Sequence, residues 1–371
     1  MTIYIFNIIL ISFYAFIFYL ANAKITKVNK KVFVTTVTIQ IILLQGLRNP
    51  IVGSDTRRYL SFYNNISSYD WQTLLKHRFE IGFKLFSKLC RLLGLSEQAY
   101  LFVISALIFI PLAYVIYKYS SNAYWSYYTY ITLGFLGSSF CTLRQNIALC
   151  IILLSIKPIK ERKLFKFIII VLIASCFHIS ALFFLPAYFI ADIKLTGNNI
   201  LLISITSFIA FLFIDSISNF IVNKFFQSYE VVKSDSYEWF LFNILLYIVL
   251  LLYYRSIVLD NNELNSKDKN GILAVEENNL IKYYYPLTLV GILLMLFATT
   301  FKNAMRVVNI YYVFIILLIP GFFDNLNNPK DKKLIKVFLF ILFGVIYIYF
   351  LNRPSAYQYV PYYFYWDDII I

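Results

Sequence analysis

The sequence predicts an all-α, polytopic integral membrane protein of roughly twelve transmembrane or half-membrane helices. Three observations predict it. Of 371 residues, 60% are hydrophobic and only 14% charged, against roughly 25% charged in a soluble domain. The mean hydropathy is +0.71, which is more apolar surface than one water-facing domain can hide. Apolar runs close to the ~20 residues that cross a bilayer recur along the whole chain. Helices are the spanning form because their backbone groups bond internally, and the runs lack the short alternation of a membrane barrel.

Taken in order, Ile3–Ala21 has no basic residue before it and no small-residue cleavage site, so it reads as an uncleaved first span. Lys24, Lys27, Lys30 and Lys31 follow it, which sets that loop in the cytoplasm and the N-terminus outside. Val32–Leu47 returns. Residues 48–79 then form an outer loop, and residues 80–93 an amphipathic helix along the outer interface. That helix is expected to turn Lys84, Lys88 and Arg91 one way and Phe83, Phe86, Leu89 and Leu93 the other.

Tyr100–Tyr117 is a full span. Tyr124–Phe140, Arg144–Ile156, Leu164–Phe177 and Ile179–Ile190 are shorter and read as two hairpins. The reason is the loop between them, which carries Lys157, Lys160, Arg162, Lys163 and Lys166. Only two hairpins keep both that cluster and Lys330, Lys332, Lys333 and Lys336 in the cytoplasm. Arg144 and His178 then sit at hairpin tips near the outer face. Ile200–Phe220, Trp239–Tyr254, Tyr283–Ala298, Val307–Pro320 and Leu334–Leu351 complete the spans. Residues 255–282 form a polar, Asn-rich cytoplasmic linker. The chain reads as one integral membrane domain over 1–371, with both termini outside.

The net charge of +14 follows the positive-inside rule without any nucleic-acid motif, so no nucleic-acid partner is expected. Cys90, Cys141, Cys150 and Cys176 show no paired spacing and read as packing residues. No HExxH, GxSxG or Walker motif and no metal-ligand cluster occurs, and no cofactor or metal is expected.

Lysines concentrate in the cytoplasmic loops. Arginines do the reverse: Arg48, Arg57, Arg58, Arg78, Arg91, Arg144, Arg306 and Arg353 map outside, leaving Arg162 and Arg255 inside. Guanidinium binds phosphate through a planar fork and stays charged at low dielectric. Arg144 and Arg306 both open helices running inward, where amide donors and the helix dipole favour an anion. Two such groups suit a pyrophosphate. The plainer reading is that these arginines snorkel to lipid phosphates or pair with Asp55 and Glu80. His178 is either a hydrogen-bonded structural residue or a general base. Asp55 and Glu80 are the outer carboxylates that could take that role instead, and Asp55 could equally cap a turn. His77, between Lys76 and Arg78, reads as solvated. The tyrosine-rich end from Tyr357 to Trp366 is an interfacial anchor or a surface on which sugars stack.

These residues carry a resemblance. Gly53-Ser54-Asp55-Thr56 with Tyr59, Glu80-Ile81-Gly82-Phe83, Arg144-Gln145 with Ala148, His178-Ile179-Ser180-Ala181, Arg306 and Pro361-Tyr362 resemble, in order and spacing, the EpsG family of Wzy-like bacterial surface-polysaccharide polymerases. The first stretch has Ser54 where the family pattern has threonine. The resemblance implies a fold similar to C-type membrane glycosyltransferases, in the bacterial cytoplasmic membrane, with its active site facing the exterior. It implies donor and acceptor glycans carried on undecaprenyl pyrophosphate, and a membrane lipid environment. A chain-length regulator and a flippase are the protein partners expected beside it. Carried over, Arg144 and Arg306 hold the pyrophosphate, Arg57 or Arg58 secures the second carrier, and Gln145, Tyr59 and Tyr362 contact substrate. His178, Asp55 or Glu80 orients or deprotonates the acceptor hydroxyl. The rival readings are a polysaccharide ligase or related polyprenyl-phosphate-dependent glycosyltransferase, and a lipid-linked oligosaccharide flippase or transporter.

Overall fold

The computed structural model describes residues 1–21, 27–196, 198–199, 238–250, 281–300, 304–324, 326, 328–353 and 357–368, with isolated positions between 202 and 216. Among these the protein is helical, with no strand and one isolated bridge, Arg48 to Phe364. Four helices are long and apolar enough to cross a membrane: Glu97–Tyr119, Ile281–Thr299, Met305–Asp324 and Pro329–Asn352. The chain is a helical membrane protein. It divides into two compact units, one of residues 1–156, 168–182 and 333–371, the other of residues 157–167 and 183–332.

In the first unit, α1 (Thr2–Ala21) and α2 (Lys27–Gly46) are 20 residues each, or about 30 Å of helix. The segment 48–79 folds into α3 (Thr56–Asn65), a 3₁₀ turn at Ile66–Ser68 and α4 (Trp71–Lys76). Asp70 caps α4 by accepting the Thr73 N–H at 2.9 Å, the usual way an orphan amide at a helix start is met. Next come α5 (Ile81–Leu92) and α6 (Glu97–Tyr119), the latter capped by Ser96 at the Ala99 N–H.

The faces of α5 differ from the sequence expectation. Lys84 is buried and donates to the Leu75 carbonyl at 2.8 Å. Leu89 and Leu93 are exposed, in a stripe with Ile81, Leu85 and Leu92. Phe83, Ser87 and Cys90 are the face packed inward. The helix lies against an aromatic cluster that accepts the lysine stem, so the outward side is the apolar one.

The chain then forms the first expected hairpin. The backbone carbonyl of Ser120 accepts from Lys30 Nζ, the Tyr127 hydroxyl meets Thr38 Oγ1 at 2.7 Å, and the Ser139 carbonyl accepts from Gln45 Nε2 at 2.6 Å. So α7 (Ala123–Thr132) and α8 (Phe135–Cys141) together follow α2 from its start to its end. After Thr142, α9 (Leu143–Leu153) turns back along α6 and brings Cys150 within electrostatic reach of Tyr130. Arg144 is therefore at the tip. Following α10 (Ile156–Lys160), α11 (Leu164–Ser175) ends just before a second tip at Cys176–His178, after which the chain continues as a 3₁₀ helix, Ile179–Phe184. The C-terminal segment 357–368 straps the loop after α2: Asn49 N–H donates to the Tyr363 carbonyl, Gly53 N–H to Gln358 and Ser54 N–H to Tyr357, each at 2.9 Å.

In the second unit, Arg162 pairs with Asp192 at 2.7 Å and donates to the Tyr188 carbonyl, while Phe167 meets the rings of Phe184 and Tyr188. These contacts close the base of the second hairpin. It also holds α12 (Ala187–Ile190), α13 (Glu238–Leu250), α14 (Ile281–Thr300), α15 (Met305–Tyr312) and α16 (Ile315–Asp324). The expected span Val307–Pro320 falls within Met305–Asp324, which is long and apolar enough to cross a membrane and carries a turn at Val313–Phe314. Most of the expected span 200–220, and the linker up to residue 280, lie outside the described residues.

Candidate functional site

The loop after α2 is shaped by close packing on the first hairpin. Gly53 has φ +93°, and a Cβ there would stand 2.2 Å from the Phe140 carbonyl oxygen. Only glycine fits. Thr56 locks the same turn, its hydroxyl reaching the Val52 carbonyl at 2.8 Å and that of Phe140 at 3.2 Å. This fixes Asp55 and the start of α3 beside the hairpin tip that carries Arg144.

At the tip, the Arg144 guanidinium pairs with Glu80, the residue that precedes α5. Both side chains are largely enclosed, at 16% and 17% exposure. The guanidinium lies over the Phe79 ring, 4.3 Å from its centroid, and over Tyr59 at 5.9 Å. The Tyr59 hydroxyl is within hydrogen-bonding reach of it. Arg144 Nε is buried and makes no hydrogen bond. The second carboxylate oxygen of Glu80 accepts the Ile179 N–H at 3.2 Å. Next to it, Gly82 N–H donates to the Cys176 carbonyl at 2.8 Å, an approach that a side chain at Gly82 would block. Glu80 therefore ties the two hairpin tips together, through Arg144 on one and Ile179 on the other.

His178 is buried on the second tip. Its Nδ1 accepts the Ser180 N–H at 3.2 Å and faces the Ser180 hydroxyl at 2.8 Å. An accepting Nδ1 puts the proton of the neutral ring on Nε2, so the ring's outer nitrogen is a donor. Asp55 lies 3.3 Å from Arg58, at the start of α3, without capping it. It is within electrostatic reach of Tyr59 and Cys141.

The sequence-predicted residues thus divide. Glu80, Arg144 and Tyr59 converge, with Asp55 beside them and the His178 tip joined through Ile179. Gln145 follows Arg144 and is buried. Tyr362 is elsewhere in this unit, its hydroxyl donating to the Leu44 carbonyl at 2.8 Å under the C-terminal strap. Arg57 and Arg58 are exposed on α3, and Arg58 pairs with Asp55. Arg306 belongs to the second unit, as the second residue of α15.

Three residues escaped the sequence reading. His77 is not a solvated loop residue: it is half-buried, its ring tilted against Phe62 at 4.4 Å and edge-on to Phe79 at 4.6 Å. Burial, with Arg78, Lys84 and Arg144 around it, pushes its pKa below the usual histidine range. Lys84 is the second; burial lowers its pKa too, against the pull of Glu80. The third is Arg48, wholly buried, lying over the Phe140 ring at 5.2 Å and donating to the Gln45 carbonyl. Its Nε and Nη2 make no hydrogen bond, and burial draws its pKa down to about 10. An enclosed cation of this kind is costly, which was the signal available in sequence: an arginine directly after an apolar span.

Comparison with known families matches residues 31–364, nearly the whole chain, to the EpsG family. No curated protein and no solved structure matches it significantly.

Proposed function

The chain belongs to the EpsG family, whose function is of the polysaccharide-polymerase type, and from that premise we propose that it joins lipid-linked oligosaccharide repeat units by glycosyl transfer on the outer face of the cytoplasmic membrane. The donor glycan rides on undecaprenyl pyrophosphate, and a second lipid-linked unit is the acceptor. An acceptor hydroxyl oxygen attacks the anomeric carbon of the donor. The bond from that carbon to the phosphate oxygen breaks, and the diphosphate leaves with the electron pair.

The observation that carries this reading is the state of Arg144. It is a largely enclosed guanidinium at a helix start, backed by aromatic rings, with a buried Nε donor that nothing meets. The side chain keeps 16% of its surface open, and a diphosphate oxygen can accept from the guanidinium there. Fixed donors in a low-dielectric site stabilise charge as it develops on the leaving group without reorganising. Glu80 orients the guanidinium. Both its oxygens already accept hydrogen bonds, one from Arg144 and one from the Ile179 N–H, so its role here is to position the guanidinium. His178, on the adjoining tip, is the residue taken to orient the acceptor hydroxyl. Asp55 is the carboxylate left for the proton, and Arg306, at the start of α15, is a second phosphate-binding group. The fold is taken to resemble C-type glycosyltransferases.

The test is polymerisation by purified protein of lipid-linked repeat units extracted from a strain lacking it. Wild type is expected to give a ladder of multiples, and Arg144→Ala to lower kcat at least a hundredfold, the scale of losing one fixed oxyanion donor. A wild-type product consisting only of polymer moved intact to another acceptor would mean a ligase. Translocation without bond formation would mean a transporter.

A further inference from the structure

The helix α3 has a second face that this chemistry does not use. Tyr59, Phe62 and Tyr63 pack inward, whereas Arg57, Ser61 and Asn64 recur at helical spacing on the opposite side and are exposed. With Pro50, Asn65 and Glu97 they line a groove of about 370 Å³, within the size range of small-molecule sites. Asn64 Nδ2 donates to Glu97 Oε1 at 2.5 Å, so the wall between α3 and α6 is held in place.

The lining chemistry is selective. One guanidinium and one carboxylate balance, and the remaining polar groups are two carboxamides and a hydroxyl. A phosphate would meet Glu97 and a cation would meet Arg57. A neutral, polyhydroxylated ligand suits both, because each sugar hydroxyl donates and accepts, as carboxamides do. We propose that this groove binds neutral sugar rings of the repeat-unit glycan, away from the reacting bond. The inference rests on the polymerase reading for its ligand. It assigns Arg57 to glycan recognition and not to a second diphosphate. Position agrees: Tyr59, which contacts Arg144, is on the other side of the same helix, and a helix is roughly 10 Å thick. An oligosaccharide leaving the Arg144 site over α3 reaches the groove; a single sugar does not.

The experiment uses full-length protein and two probes: the lipid-linked repeat unit, and the free oligosaccharide released from it by mild acid. The variant Ser61→Ala/Asn65→Ala alters two exposed side chains, and monodispersity with wild-type thermal stability establishes that it is folded. It is expected to raise KM for the lipid-linked unit about tenfold, with kcat within twofold, as two lost hydrogen bonds imply. Affinity for the free oligosaccharide, measured by calorimetry, is expected to fall by the same factor, whereas Arg144→Ala retains that affinity. Unchanged oligosaccharide binding in the groove variant overturns the proposal. So does inorganic pyrophosphate displacing the oligosaccharide from wild type, which would make the groove an anion site. If wild type binds the free glycan through the groove but forms no polymer, the groove stands and the polymerase reading falls.

Discussion

At the scale of single residues, the centre of the first unit is an enclosed ion pair whose partners lie 64 positions apart, Glu80 and Arg144. Removing one member of such a pair leaves an uncompensated charge, which costs about 3–5 kcal/mol, whereas replacing both by apolar groups of similar volume is close to neutral. Glu80→Ala should therefore lower the thermal midpoint of the detergent-solubilised protein clearly, and Glu80→Leu/Arg144→Met should recover most of it. The double variant should still be inactive, because the phosphate donor is gone. A double variant as unstable as Glu80→Ala would mean that the tips are held by something other than charge. His77 gives a second test. Its depressed pKa means that the unfolded chain, near 6.5, binds the proton more readily than the folded one. The stability it contributes is complete above about pH 6.5 and is lost as pH falls toward the folded value. Thermal unfolding between pH 7.5 and 5 should show that decline, and His77→Phe, which keeps a ring against Phe62 and Phe79, should flatten it.

At the scale of elements, the hairpins were legible because charge decides topology. Keeping Lys157, Lys160, Arg162, Lys163 and Lys166 on one side required two reversals of the chain, and the chain does turn at Thr142 and at Cys176–His178. Asp70, Ser96 and Asn122 cap α4, α6 and α7, each accepting the amide three positions on, a local signal that spans drawn from hydropathy alone do not use. What was not legible depended on partners distant in sequence. The inner face of α5 is chosen by Tyr59, Phe62 and Tyr100, so hydrophobic periodicity alone assigned Lys84 to the wrong side. The bond from Ile179 to Glu80 spans 99 positions and uses a backbone amide, which has no signature in a sequence. Arg144 and Glu80 were each found as candidates; their pairing was found only as one alternative.

At the scale of the molecule, the chemistry depends on which side of the membrane the paired tips face. Within the first unit, Ser120 and Lys30 mark one end of α2, while the Arg144 site, the groove on α3 and the C-terminal strap lie beyond the other. In the proposed orientation, which follows the positive-inside rule, Lys24, Lys27, Lys30, Lys31 and Lys118 face the cytoplasm. The opposite end is also basic, but several of its charges are engaged: Arg48 is buried, Arg144 and Arg58 are paired, and Lys84 is enclosed, while Arg57, Lys76 and Arg78 are exposed. Cations committed to a fold weigh less against crossing than the free lysines of a short loop, and this is why the arginine-rich end is assigned outside. Cysteines introduced at exposed Ser68 and Ser121, one at each end, test the assignment in a background with Cys176→Ser, since the other three cysteines are buried. A membrane-impermeant maleimide should label Ser68→Cys in intact cells and Ser121→Cys only after permeabilisation. The reverse pattern would turn the Arg144 site toward the cytoplasm, where a polymer made there could not reach the surface without being exported.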